Sequence, residues 1–213
     1  MAIRTILFDL DGTLIDTNPL ILASFRHTLL KHTGRAYTDE EIFPFIGPPL
    51  IESLKDVDED QAEAMMHTYR THNIANHEAY VKPYPTVIET IRKLHAEGFK
   101  LAIVTTKITE TARLGLDITG LSQYFDVVIG LTEVEHAKPH PEPVLKALDA
   151  LGETPIDALM IGDNHHDIEA GQNAGTKTAG VSWSIKGKET LAALEPDYML
   201  EALSDLLTIL EVE

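Results

Sequence analysis

Apolar positions follow two rhythms along this chain. The opening run of Ile3, Ile6, Leu7 and Phe8 is dense enough for a strand buried on both faces, and it stops abruptly at Asp9. Helical spacing then takes over. Asn18-Pro19 has the residue types of a helix cap and first turn, and Leu20 to Lys31 reads as an amphipathic helix closed by Gly34. Thr38 with Glu41 forms a capping-box pair for a short helix ending near Pro44, and Phe45-Ile46-Gly47-Pro48-Pro49 is a stiff apolar turn. Leu50 to Lys55 and Gln61 to Tyr80 continue the helical pattern, the second with Ala62, Met65, Met66 and Tyr69 along one side.

Past Lys82-Pro83-Tyr84-Pro85 the rhythm becomes alternating helices and short apolar strands. Helices are expected over Thr86 to Ala96, from Thr109, over Pro141 to Leu151, Ile168 to Ala174 and Leu203 to Leu210. Between them fall strands at Lys100 to Thr105, Asp126 to Ile129, Ala158 to Ile161, Thr178 to Val181 and Tyr198 to Leu200. The expected architecture is therefore an α/β doubly wound parallel sheet made from residues 1–16 and 83–213, interrupted by an all-helical insertion over 17–82. A chain of 213 residues is long enough for such a core plus insertion.

Composition narrows the chemistry. With no cysteine there is no disulfide, thiolate nucleophile or zinc-thiolate site, so covalent chemistry must use oxygen or nitrogen. Thirty-four acids against 17 Lys and Arg give a formal charge of -17, which opposes binding to a phosphate backbone, so nucleic acid is not an expected partner. Asp9 and Asp11 interrupt the first apolar run and no later run reaches membrane-spanning length, so a cytoplasmic protein without a membrane partner is expected. An anionic small substrate then requires cations concentrated at one place.

The candidate place is Phe8-Asp9-Leu10-Asp11-Gly12-Thr13-Leu14, where two carboxylates follow a strand and Gly12 permits a sharp turn close to a ligand. An Asp-x-Asp pair alone is better explained by a solvated turn or a structural calcium loop than by catalysis. Three further strand ends change that reading: Thr105-Thr106-Lys107, then Glu135-His136-Ala137-Lys138-Pro139, then Gly162-Asp163-Asn164-His165-His166-Asp167. In a doubly wound sheet these converge on the rim that carries Asp9. His165 and His166 read as polar loop residues, and Trp183, Met65 and Met66 as packing residues.

The ordered motifs DLDGT, TT, K-P and GDxxxD resemble those of the haloacid dehalogenase superfamily of phosphohydrolases, over essentially the whole chain. The helical insertion resembles that superfamily's cap, as in phosphoglycolate phosphatase and β-phosphoglucomutase relatives. FIGP, EHAKPHPEP, GDNHHDI and GQNAGTKTAGVSW are most similar to its bacterial inorganic pyrophosphatases, a group linked to the phosphocarrier HPr kinase/phosphorylase. The resemblance implies a small phosphate substrate, a Mg2+ cofactor and an aspartyl-phosphate intermediate. It makes Asp9 the nucleophile and Asp11 the general acid, with Asp9, Asp163 and the main-chain carbonyl of Asp11 on Mg2+ and Asp167 acting through water. Thr105, by hydroxyl and N–H, and Lys138 would hold the transferring phosphoryl group; the N–H groups of Gly12 and Thr106 would contact phosphate. Lys107 fits a distal phosphate and a solvated surface charge equally well. Mutase relatives carry a histidine and an arginine where this chain has Ile21 and Leu50, which favours a substrate with few groups to read: pyrophosphate first, phosphoglycolate second. A non-catalytic binding module is the reading from a different class, against which the intact motif set argues.

Overall fold

The computed structural model describes residues 3–212. Strand β1 (Thr5–Phe8) runs into the Asp9–Leu14 turn, and a short β2 (Ile15–Asp16) leads out to helices α1 (Asn18–Thr33), α2 (Asp39–Ile42), α3 (Leu50–Lys55) and α4 (Ala62–Tyr80). The chain returns through β3 (Lys82–Pro83), antiparallel to β2. Sequence pattern shows this pair only as a break, because two-residue strands carry no periodicity. The remainder alternates: α5 (Val87–Ala96), β4 (Lys100–Val104), α6 (Thr109–Ile118), β5 (Val127–Ile129), α7 (Glu142–Leu151), β6 (Ala158–Gly162), α8 (His165–Ala174), β7 (Lys177–Val181), α9 (Lys188–Ala192), β8 (Tyr198–Leu200) and α10 (Asp205–Ile209).

Six of the strands form one sheet in the order β5-β4-β1-β6-β7-β8, all neighbours parallel. From β1 the chain builds outward to β4 and β5, then crosses to β6 on the other flank, so the strand order reverses at β1. Carboxyl ends at such a switch point open into a crevice. Side-chain alternation explains why both faces are dry. Ile6, Phe8, Leu101, Ile103, Leu159 and Ile161 pack on one side, while Leu7, Ala102, Val104, Ala158 and Met160 pack on the other.

The helical segment has a core of its own, in which Phe25, Leu29, Ile42, Leu54, Ala62, Met65 and Tyr69 are buried together. Phe25 and Tyr69 meet edge to face at 4.9 Å. Thr38 and Glu41 make the reciprocal capping box that their spacing predicts. Helix α8 begins at His165, three residues before the apolar pattern signals it, because Asn164 caps its N-terminus. Among the described residues no helix is long and apolar enough to cross a membrane.

Candidate active site

The first strand fixes Asp9 by one extra rung, since the Asp9 N–H donates to Ile161 O on β6 at 2.8 Å. The carboxylate is thereby held at the sheet's rim, 6% exposed. Gly12 follows in the left-handed region at φ 83°, and a Cβ there would lie 2.3 Å from Asp163 Oδ2. The glycine is thus required by space and by conformation. Its N–H is already taken by Ile15 O at 2.9 Å, which corrects the expectation that this N–H is free to contact phosphate.

Lys138 reaches the same rim from the β5–α7 connection. Its ammonium group donates to Asp9 Oδ1 at 2.8 Å, Asp167 Oδ1 at 2.6 Å and Val104 O at 2.7 Å, and the residue is 3% exposed. All three ammonium protons are therefore used. Burial alone would lower the Lys138 pKa, but the carboxylates of Asp167 and Asp9 hold it above the ordinary lysine value.

Asp163 ends the connection from β6, its main-chain carbonyl fixed by the Ser184 hydroxyl at 2.6 Å. Sequence pattern does not single out Ser184, which acts through the backbone of the loop after β7. Oxygens of Asp9, Asp163 and Asp167 lie within 4.8 Å of one another. Burial, with mutual repulsion, raises Asp9 to about 7 even though Lys138 opposes the shift. Burial followed by the charges of Asp9 and Asp167 pushes Asp163 well above the usual carboxylate range. Three buried acids share one hydrogen-bonded ammonium, with the Lys186 charge acting on Asp163 and Asp167 from farther off, and form a negative site whose donor chemistry is that of a hard divalent cation.

Asp167 has a tighter set of bonds than its expected water-mediated role implies. Oδ1 pairs with Lys138, while Oδ2 accepts the N–H of Asn164 at 2.9 Å in the helix cap. It thus aligns the lysine and the start of α8. The expected one-sided helical turn from Asp163 to Asp167 is not formed, because Asp163 precedes the helix and Asn164 is its cap.

Asp11 stands apart from the carboxylate cluster and pairs instead with Lys107, whose Nζ is 2.8 Å from its Oδ1. Both side chains are mostly buried, so the solvated-surface reading of Lys107 does not hold. The N–H of Thr105 is spent on Ile129 O at 2.9 Å, correcting its expected role as a phosphate donor; the Thr105 hydroxyl accepts the Lys107 N–H at 3.2 Å.

Two side chains bind the helical segment directly to these motifs. Thr106 Oγ1 donates to Gly47 O at 2.9 Å, and Asn164 Nδ2 donates to Ile46 O at 3.3 Å. Gly47 has φ 115°, and a Cβ there would lie 2.1 Å from Asn164 Nδ2. The Phe45–Pro49 turn is thus seated on the residues adjacent to Thr105 and Asp163. Beneath it lies a cavity of about 150 Å³ bordered by Asp9, Asp11, Lys107, Lys138 and Asp163 on the sheet side. Ile21, Leu50, Tyr69, Arg70 and Asn73 are among the residues that line it from the helices.

Buried carboxylates of Asp9, Asp163 and Asp167, the fixed Lys138 ammonium and the Asp11–Lys107 pair thus converge on the carboxyl ends of the strands at the switch point, the arrangement expected of an active site for an anionic substrate. A profile for haloacid dehalogenase-like hydrolases matches residues 6–181, and the chain belongs to that family. Pyrophosphatase PpaX of Anoxybacillus flavithermus is 57% identical over 212 residues, spanning 100% of this chain and 99% of that protein. The crystal structure of a haloacid dehalogenase-like hydrolase from Bacteroides fragilis superposes with a TM-score of 0.89 at 30% identity, covering 96% of this chain and 99% of that one. A predicted phosphoglycolate phosphatase from Haemophilus somnus gives a TM-score of 0.85 at 26% identity, with 97% of each chain covered.

Proposed function

We propose that this hydrolase splits inorganic pyrophosphate into two phosphates through an aspartyl-phosphate on Asp9, in the cytoplasm, with Mg2+ held by Asp9, Asp163 and the Asp11 carbonyl. The observation that carries the reading is the buried contact of Asp9 with Lys138 beside Asp163 and Asp167, at the open end of the sheet. Mg2+, when bound, would neutralise charge on the phosphoryl oxygens.

An oxygen of Asp9 attacks phosphorus as the bond to the leaving phosphate breaks. Asp11 donates its proton to that leaving oxygen, then takes one from the water that attacks the acyl phosphate and restores Asp9. Lys138 holds Asp9 in line and offsets the charge that the phosphoryl group brings. Thr105 contributes its hydroxyl and Thr106 its N–H. Asp167 positions Lys138.

Substrate choice belongs to the helical cap over 17–82. Ile21 and Leu50 line the cavity and offer no hydrogen bonds to a sugar. Of the cations lining it, Lys138 and Lys107 are paired with carboxylates, and Arg70 makes no ion pair among the described residues. Arg70 therefore suits the second phosphate of a diphosphate, a dense anion with nothing else to recognise, and Lys107 would join it by exchanging its bond to Asp11 for one to that phosphate. The 57% identical relative carries the name pyrophosphatase, in agreement. Steady-state assays with Mg2+ should give a kcat/KM for pyrophosphate well above that for phosphoglycolate; the opposite ranking would reject pyrophosphate as the preferred substrate.

A further inference from the structure

The turn that delivers Lys138 to the catalytic rim presents a different set of donors on its outer side. His136 and His140 flank Lys138 in sequence, and the turn is closed by the His140 N–H donating to Ala137 O at 3.0 Å. Their rings lie 4.6 Å apart, inclined at 31°. Glu142, at the start of α7, completes the group. Its Oε1 accepts the Glu135 N–H at 2.9 Å, its Oε2 accepts the His136 N–H at 2.9 Å, and Oε2 also lies 3.1 Å from His136 Nδ1. One ligand atom from each of the three side chains falls within 4.8 Å of the others.

We propose that His136, His140 and Glu142 form a second metal site, selective for a borderline divalent transition ion of the Zn2+ type. Donor chemistry separates it from the catalytic centre. Asp9, Asp163 and Asp167 offer only hard oxygens in a buried setting, whereas two imidazoles with one carboxylate are a donor set that favours Zn2+ over Mg2+. Both imidazoles are exposed, so an ion reaches them from solvent without opening the fold.

The local bonds that ligation replaces are weak. They are the His136 Nδ1 contact with Glu142 at 3.1 Å and the Glu142 N–H donated to His140 Nδ1 at 3.2 Å. Main-chain donors from Glu135 and His136 keep the carboxylate in place during that exchange. Lys146, 3.1 Å from Oε1, is the nearest competing cation; it is half-exposed and its ammonium also donates to Glu133 O at 2.6 Å, a bond it keeps when an ion takes the carboxylate. The same turn is tethered on its other side by Asn173 Nδ2, which donates to Pro139 O at 3.1 Å. An ion across His136 and His140 adds a second tether to the segment that carries Lys138.

Calorimetric titration of the full chain with Zn2+ under saturating Mg2+ tests the site, with the His136→Ala/His140→Ala variant as comparison. Wild type should bind one equivalent of Zn2+ more than the variant, and the ring resonances of both histidines should move during the titration. Any Zn2+ that displaces Mg2+ from the carboxylates appears equally in both proteins, so it leaves the difference intact. Identical isotherms, or histidine resonances that stay in place while Zn2+ binds, would overturn the proposal.

Discussion

Replacing Thr106 by valine removes one hydrogen bond between the cap and the catalytic rim and little else. The Thr106 hydroxyl donates to Gly47 O at 2.9 Å, while the main-chain N–H survives the substitution. Valine keeps the branched shape. A neutral hydrogen bond of this kind contributes about 0.5–1.5 kcal/mol net, and about 1.4 kcal/mol corresponds to tenfold in an equilibrium. If the cap must be seated for turnover and is mostly unseated before substrate binds, the seated population and kcat/KM for pyrophosphate should both fall roughly two- to tenfold. Thr106→Ser, which retains the hydroxyl, should recover most of the loss. Phosphate release at subsaturating pyrophosphate reads the effect directly, with thermal unfolding as a control expected to change little. Wild-type kcat/KM in Thr106→Val would refute the latch. A loss far beyond tenfold would also refute it, because the hydroxyl would then be acting on the phosphoryl group itself.

Gly12→Ala should displace Asp163, because its Cβ would lie 2.3 Å from Asp163 Oδ2 and its φ is 83°. The left-handed conformation alone costs about 1–2 kcal/mol, so lower thermal stability and weaker Mg2+ activation are expected together. Arg70→Ala should raise KM for pyrophosphate while leaving turnover of an aryl monophosphate nearly unchanged; an equal loss on both would remove Arg70 from diphosphate recognition. Burial raises Asp9 from 3.8 to about 7, so the folded metal-free protein holds a proton there that the unfolded chain releases. This group's contribution to stability therefore declines as pH rises from about 4 to 7. Metal-free Asp9→Asn should accordingly gain stability relative to wild type across that interval, by up to a few kcal/mol at the upper end. Urea unfolding at pH 4.5 and 7.5 measures this, and a difference that is flat or of opposite sign would contradict it.

Much of this arrangement is legible in the sequence because it is written in local pattern. The run Ile6 to Phe8 marks a doubly buried strand, and Asp9, Thr105 and Asp163 each follow such a run, so their convergence needs only the rule for parallel sheets. The chain's bonding details follow another logic. Whether the N–H groups of Gly12 and Thr105 are free depends on Ile15 O and Ile129 O, carbonyls whose direction no residue type encodes. The seating of Gly47 against Asn164 likewise joins a main-chain turn to a side chain more than a hundred residues away, and it leaves only a glycine as its trace. Asp167 carries a clear motif, but its grip on Lys138 emerges only when the β5–α7 turn is folded over the rim.

The central claim is that Asp9 becomes phosphorylated during turnover. Rapid acid quenching of the enzyme with radiolabelled pyrophosphate and Mg2+ tests it, followed by peptide mapping of the acid-stable, hydroxylamine-labile label. The account predicts transient label on the peptide containing Phe8 to Leu14, absent in Asp9→Asn, which should also lose hydrolysis while remaining folded. Pyrophosphate hydrolysis at the wild-type rate in Asp9→Asn, or label confined to another peptide, would contradict it.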